Sequence, residues 1–258
     1  MKMALVQMDV VFGKPEENFL QVEKYIEEAA RQGADTIVLP EMWNTGYALN
    51  ELWAIADDNG KRTKDLLCRL SKMFAVHIVG GSVATNKAGK FFNTMYVVNR
   101  EGEIVAEYDK AHLFPLMDEP RHLEEGQTKN IFQLDGTDCG GVICFDIRFP
   151  EWIRTHILSG AKLMFIPAQW PKTRVDHWEV LLKARAIENQ CFVIAVNRVG
   201  KDLNNEYNGH SMVVSPWGDV YFGGEKSEGV FYVEIELDEV DRVRNTIPIF
   251  QARRTDLY

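Results

Sequence analysis

Long apolar runs are missing from this 258-residue chain, and no stretch approaches the length that would cross a bilayer. Met1-Lys2-Met3 leads directly into an apolar segment without the pattern of a signal peptide. Cysteine is scarce: four residues, at 68, 139, 144 and 191, form no CxxC pair and no zinc-like pattern with histidine. A cytoplasmic protein with reduced thiols and no bound metal is therefore expected. Positive charge is in deficit, with 29 Lys and Arg against 38 Asp and Glu, a net charge of −9. No basic run carries interleaved aromatics, which argues against nucleic acid as a partner. No GxGxxG or P-loop glycine pattern follows an apolar strand, so a nucleotide-binding α/β protein ranks last among the readings. No linker or low-complexity segment divides the chain, and residues 1–258 read as a single domain.

What is present is an alternation of strands and helices. Apolar runs at 3–6, 36–39, 76–83, 131–134, 139–143, 162–166, 191–196 and 230–235 predict strands. Pro15 opens a helix with Phe19, Val22, Ile26, Ala29 and Ala30 on one face, closed by Gly33. A second, over 63–74, carries Leu66, Leu67, Leu70 and Phe74, and a long one over 173–190 places Val175, Trp178, Leu181, Leu182 and Ile187 on one face. Hairpins are expected over 93–108 and 211–223, and a short helix with a tail from 238 onward. The residues from 113 to 129 read as a loop. This pattern predicts an α/β protein with antiparallel edges.

The chain also repeats itself. Gly33-Ala34 through Pro40-Glu41-Met42-Trp43 aligns with Gly160-Ala161 through Pro167-Ala168-Gln169-Trp170. Upstream, Gln7-Met8-Asp9 parallels Cys144-Phe145-Asp146, and Pro15-Glu16 parallels Pro150-Glu151. Two similar β-α-β halves, with two sheets face to face and helices outside, account for the match. Gln7 stands where Cys144 stands, and Ala168 where Glu41 stands. The shared frame thus requires neither the thiol nor the acid, and both look like chemistry added to it at strand ends.

Cys144 follows the apolar Val142-Ile143, and Pro150-Glu151 then open a helix that runs to Gly160. A thiol on such a strand-to-helix turn lies beside outward-pointing N–H groups, which favour both a thiolate and an oxyanion. A free cysteine can equally be a small buried hydrophobe. A nucleophilic thiol needs a base or a positive neighbour. None of the six histidines is singled out for this; His112 comes nearest, two residues past Lys110. Glu41 is a candidate base if burial raises its pKa, against the alternative of a solvated loop acid. Lys110 could stabilise an oxyanion or be an ordinary surface lysine.

Leu39-Pro40-Glu41, Tyr108-Asp109-Lys110-Ala111-His112-Leu113-Phe114 and Val142 to Glu151 together resemble the three signature blocks of the nitrilase superfamily of carbon–nitrogen hydrolases, in that family's Glu, Lys, Cys order. The likeness continues through 184–190 and Asn208-Gly209-His210-Ser211, and it is strongest to the omega-amidase branch, which includes 2-oxoglutaramate amidases. The resemblance implies a four-layer α-β-β-α sandwich, usually assembled as a dimer, with the tail 245–258 at the dimer interface. It implies a small-molecule amide as substrate and no cofactor. By the same resemblance Glu41 is the base, Cys144 the nucleophile, and Lys110 with the backbone N–H of Phe145 the oxyanion site. Glu119 matches a second family glutamate that orients lysine and substrate.

A 2-oxo acid omega-amide carries a carboxylate remote from the scissile bond, so the pocket needs a cation. Arg148 could fork to it, or close its own turn by a salt bridge. Trp43, Tyr47 and Trp170 could wall the pocket or belong to the core. An N-carbamoyl amine or a nitrile is an alternative substrate. A catalytically silent binding or scaffold protein is the alternative of another class.

Overall fold

The computed structural model describes residues 1–257. The first half runs β1 (Lys2–Gln7), α1 (Pro15–Arg31), β2 (Thr36–Val38), α2 (Leu52–Ile55), β3 (Asp57–Asp58), α3 (Lys61–Phe74), β4 (His77–Val79), β5 (Val83–Lys87), β6 (Lys90–Val98) and β7 (Ile104–Asp109). After the short α4 (Glu119–His122) come β8 (Ile131–Leu134), β9 (Thr137–Gly141), α5 (Pro150–Leu158), β10 (Leu163–Ala168), α6 (Val175–Asn189) and β11 (Phe192–Asn197). A ribbon, β12 (Val199–Lys201) and β13 (Glu206–Asn208), precedes β14 (Met212–Val214), β15 (Val220–Phe222), β16 (Gly229–Glu234) and α7 (Asp238–Thr246).

Eight strands form one sheet in the order β16-β1-β2-β4-β6-β5-β3, with β7 also paired to β6, and six form the other, β15-β14-β11-β10-β9-β8. The central strands β1-β2-β4 and β9-β10-β11 are parallel in each. Strand alternation sorts the apolar residues into layers. Met3 and Leu5 of β1 join Leu163, Phe165, Phe192 and Ile194 in the core between the sheets, while Ala4 and Val6 pack with Phe19, Val22 and Ile26 of α1 and Leu67 and Leu70 of α3. Beyond the second sheet, Ile153 and Ile157 of α5 and Trp178, Leu182 and Ala186 of α6 close the far side. The expected four-layer sandwich of two related halves is what these contacts build.

Four expectations need correction. Residues 76–83 are two strands, not one, because the chain bends at Gly80-Gly81; Gly81 has φ +60°, and a Cβ there would lie 2.0 Å from the carbonyl oxygen of Pro40. Pro167 does not end its strand but lies inside β10, opposite Val196. It is tolerated because β9 pairs with β10 only as far as Phe165, so no partner on that side needs its missing N–H. On α6 the buried face is Trp178, Leu182, Arg185, Ala186 and Asn189, whereas Ile187 is half exposed. Between 113 and 129, a 3-10 turn (Pro115–Met117) and α4 order part of the expected loop. Among the described residues no helix is long and apolar enough to cross a membrane.

Candidate active site

Cys144 begins a 3-10 helix, Cys144–Arg148, with φ +44°, a strained value for a residue with a side chain. The surrounding hydrogen bonds hold it there. Val142 is still tied to the sheet, donating to the Phe165 carbonyl at 3.0 Å. Asp146, two residues past the thiol, accepts at one oxygen from the Ile143 N–H (2.9 Å) and the Tyr108 hydroxyl (2.8 Å). Its other oxygen accepts from the His112 N–H (2.9 Å) and lies 2.7 Å from His112 Nδ1. Arg185 Nε, from α6, donates to the Ile147 carbonyl at 2.8 Å. One buried carboxylate thus fastens the turn that bears Cys144 to the segment that bears Lys110.

Glu41 follows β2, and the bend at Gly81 makes room for it. Its Oε1 accepts from Lys110 Nζ (2.9 Å), Tyr47 Oη (2.8 Å) and Asn93 Nδ2 (2.8 Å), and its Oε2 from the Gln169 N–H (2.7 Å). The Gln169 side chain returns a bond to the Glu41 carbonyl at 2.7 Å. Lys110, just beyond β7, also donates to Glu119 Oε1 at 2.6 Å. Glu119 opens α4, accepts from Tyr47 Oη at 2.6 Å, and takes the Phe114 N–H on its other oxygen at 2.7 Å. Lys110, Glu41 and Glu119 are at most 1% exposed.

Cys144 faces this cluster, its thiol within the field of Glu41, Lys110 and Glu119. Burial pushes the thiol pKa well up, Glu41 pushes the same way, and Lys110 opposes both. Burial would by itself lower the pKa of Lys110, but Glu119 and Glu41 reverse the sign and hold the ammonium charged. Glu119 is raised by burial, then drawn back by Lys110, with Glu41 again raising it. The arrangement is a thiol at rest, a carboxylate ready to take its proton and a fixed cation beside both.

A cavity of about 10 Å³, room for one water, reaches Cys144 and is lined by Phe114, Phe145, Arg148, Gln169, Trp170 and Arg174. Of the predicted pocket residues, Trp170 and Arg148 therefore lie at the cavity. Tyr47 is at the site, but through its hydroxyl on two glutamates. Trp43 is not at the cavity: it is fully buried, donates Nε1 to the Gly80 carbonyl and packs edge-on against Phe19, because its position faces α1. Among the described residues Arg148 has no salt-bridge partner; it stacks 4.6 Å over Trp170. His112 is occupied by Asp146 and stacked on Phe149 at 3.7 Å, so it is no partner of the thiol. Asn93 and Gln169, which fix Glu41, carry no sequence signal of that role, beyond Gln169 following the residue that the repeat aligns with Glu41. Among the described residues no three His, Cys or acidic side chains are grouped to ligate a metal ion.

The model of the carbon–nitrogen hydrolase family matches residues 2–245. The 2-oxoglutaramate amidase of Bacillus subtilis is 49% identical over 253 residues, covering 98% of this chain and 97% of that protein. The human omega-amidase NIT2 is 31% identical, covering 100% and 96%. A crystal structure of a CN-hydrolase superfamily protein from Xanthomonas campestris, with an arsenic adduct in its active site, superposes with a TM-score of 0.92 at 28% identity, covering 99% of this chain and 97% of that one.

Proposed function

Because this chain belongs to the carbon–nitrogen hydrolase family, we propose that the cluster around Cys144 makes it an omega-amidase, which cleaves a small linear amide to a carboxylic acid and ammonia. The observation that carries the reading is Lys110 Nζ, buried at 2.9 Å from Glu41 and 2.6 Å from Glu119, with the Cys144 thiol in the field of all three.

Glu41 removes the thiol proton as Cys144 Sγ attacks the amide carbon. The carbonyl oxygen becomes an oxyanion held by Lys110 and the Phe145 N–H, which lies in the first turn of a 3-10 helix where amides lack an internal acceptor. Glu41 returns its proton to the departing nitrogen, so ammonia leaves and a thioester remains. Glu41 then takes a proton from water, whose oxygen attacks the thioester; the acid departs and the thiol is restored. Glu119 holds Lys110 and the substrate amide in line. Losing one oxyanion donor of this kind costs about 10²–10³ in rate.

The substrate class is an omega-amide of a 2-oxo dicarboxylic acid, of the 2-oxoglutaramate type, with Arg148 beside its remote carboxylate and Trp170 as a wall. The working unit is a homodimer with residues 245–257 at its interface; position 258 of the expected tail lies outside the described residues. Purified protein is expected to release ammonia from such an amide, and Cys144→Ala to abolish that release. Undiminished ammonia from the variant would overturn the thiol mechanism.

A further inference from the structure

Two guanidinium groups, Arg148 and Arg174, line the small cavity over Cys144. Arg148 lies over the Trp170 ring, with His177 Nδ1 as a polar neighbour at 3.5 Å, and Arg174 lies 5.5 Å from the Phe114 ring. Among the described residues neither has a carboxylate within 4 Å, whereas Arg62, Arg69, Arg100 and Arg198 each do. The chain has nine more acids than bases, so a shortage of acids does not explain the omission.

The acids that share a cleft with Arg174 are committed elsewhere. Arg174 also borders a cleft of about 360 Å³ that includes Tyr47, Asp118 and Asp202. Asp118 pairs with Arg121 at 3.3 Å, and Asp202 accepts from Tyr207 Oη and from the N–H groups of Asn204 and Asn205. Two like charges left unpaired side by side repel each other, and the repulsion shows at Arg148, where burial first and then Arg174 lower the pKa. An anion between them would relieve it. The backbone of Arg174 is also set in advance: its carbonyl accepts Trp170 Nε1 at 2.7 Å, so the tryptophan under one guanidinium anchors the residue bearing the other.

We propose that Arg174 is the specificity-determining residue of this site, gripping together with Arg148 the carboxylate at the substrate end remote from the scissile amide. The proposal rests on the amidase reading for the identity of the substrate, but the anion site itself can be read without turnover. The free cavity holds only about one water, so the incoming carboxylate must draw the Arg174 side chain away from Phe114. Its effect therefore falls mainly on KM.

The probe is glutarate, a five-carbon dicarboxylate, and the readout is protection of Cys144 from alkylation by iodoacetamide. Arg174→Gln is expected to raise the half-protecting glutarate concentration by about 10–100-fold, the range for lost hydrogen bonds to a charged group, and Arg174→Lys by less. With the five-carbon omega-amide acid, Arg174→Gln raises KM far more than it lowers kcat. The preference for that substrate over uncharged butyramide falls in proportion. Wild-type protein that glutarate does not protect, or unchanged protection in Arg174→Gln, overturns the proposal, and so does an equal loss on the charged and uncharged amides. Arginine-dependent protection with no ammonia from any amide would leave the anion site standing and remove the amidase reading instead.

Discussion

Tyr47 has one hydroxyl hydrogen to give, yet its oxygen lies 2.8 Å from Glu41 Oε1 and 2.6 Å from Glu119 Oε1. That hydroxyl and Lys110 Nζ, which lies 2.9 Å from Glu41 Oε1 and 2.6 Å from Glu119 Oε1, tie the two carboxylates into one buried network beside Cys144. Tyr47→Phe removes the hydroxyl that fixes both carboxylates. The variant is expected to lose about 10–100-fold in kcat/KM with the fold retained by circular dichroism, and unchanged kcat/KM would contradict this positioning role. From the sequence Tyr47 was visible only as an aromatic near Glu41. Its second partner is 72 residues away, in a segment with no periodicity to place it. Glu41, Lys110 and Cys144 were legible because each ends a strand inside a distinctive block. Arg174, in a loop before α6, carried no such signal.

At the scale of the element, the bend between β4 and β5 is what presents Glu41. Gly81 packs where a side chain cannot: its hypothetical Cβ meets the Pro40 oxygen at 2.0 Å and the Leu39 carbonyl carbon at 2.8 Å. Ser82 completes the fit, its N–H bonded to the Pro40 carbonyl and its hydroxyl accepting from the Met42 N–H. Gly81→Ala is expected to cost about 1–3 kcal/mol of stability from φ strain, read by calorimetry. By displacing Glu41 it should also lower kcat/KM about 100-fold, and full activity in a folded variant would refute this role for the bend. Apolar content alone reads 76–83 as one strand, because a run of valines and glycines does not reveal that a neighbouring backbone must pass close by. Helix α6 shows the opposite limit. Its 3.6-residue pattern located the helix and Trp178 and Leu182, but Arg185 and Asn189 complete the buried face through hydrogen bonds that a hydrophobic count cannot detect.

In the whole molecule the site lies where the two repeated halves touch. The turn Pro40 to Trp43 meets its counterpart Pro167 to Trp170 through the two bonds from Gln169 to Glu41. At the position equivalent to Cys144, the polar atoms of Gln7 are spent on Ser211 and on the carbonyls of Glu225 and Ser227, so that half keeps the frame without the chemistry. The outer helical layers differ as well. Ion pairs Arg62–Glu16 and Arg69–Glu23 lace α1 to α3, and this layer exposes Leu20 and Met73. The α5–α6 layer and the residues after it expose Leu158 (46%), Val180 (65%), Ile187 (52%), Ile247 and Leu257, with Phe250 of the tail under Arg154 and Arg244. Exposed aliphatics along one layer fit a surface that another protein covers, and this layer is thus the expected pairing face of the proposed homodimer. Each copy carries a charge of −9, so like charge opposes pairing and salt, by screening it, should tighten the dimer. Sedimentation is expected to give twice the chain mass, with a smaller dissociation constant as salt is raised, and Val180→Glu should give single chains of unchanged melting temperature. Wild-type protein that sediments as single chains at every salt concentration would rule the dimer out.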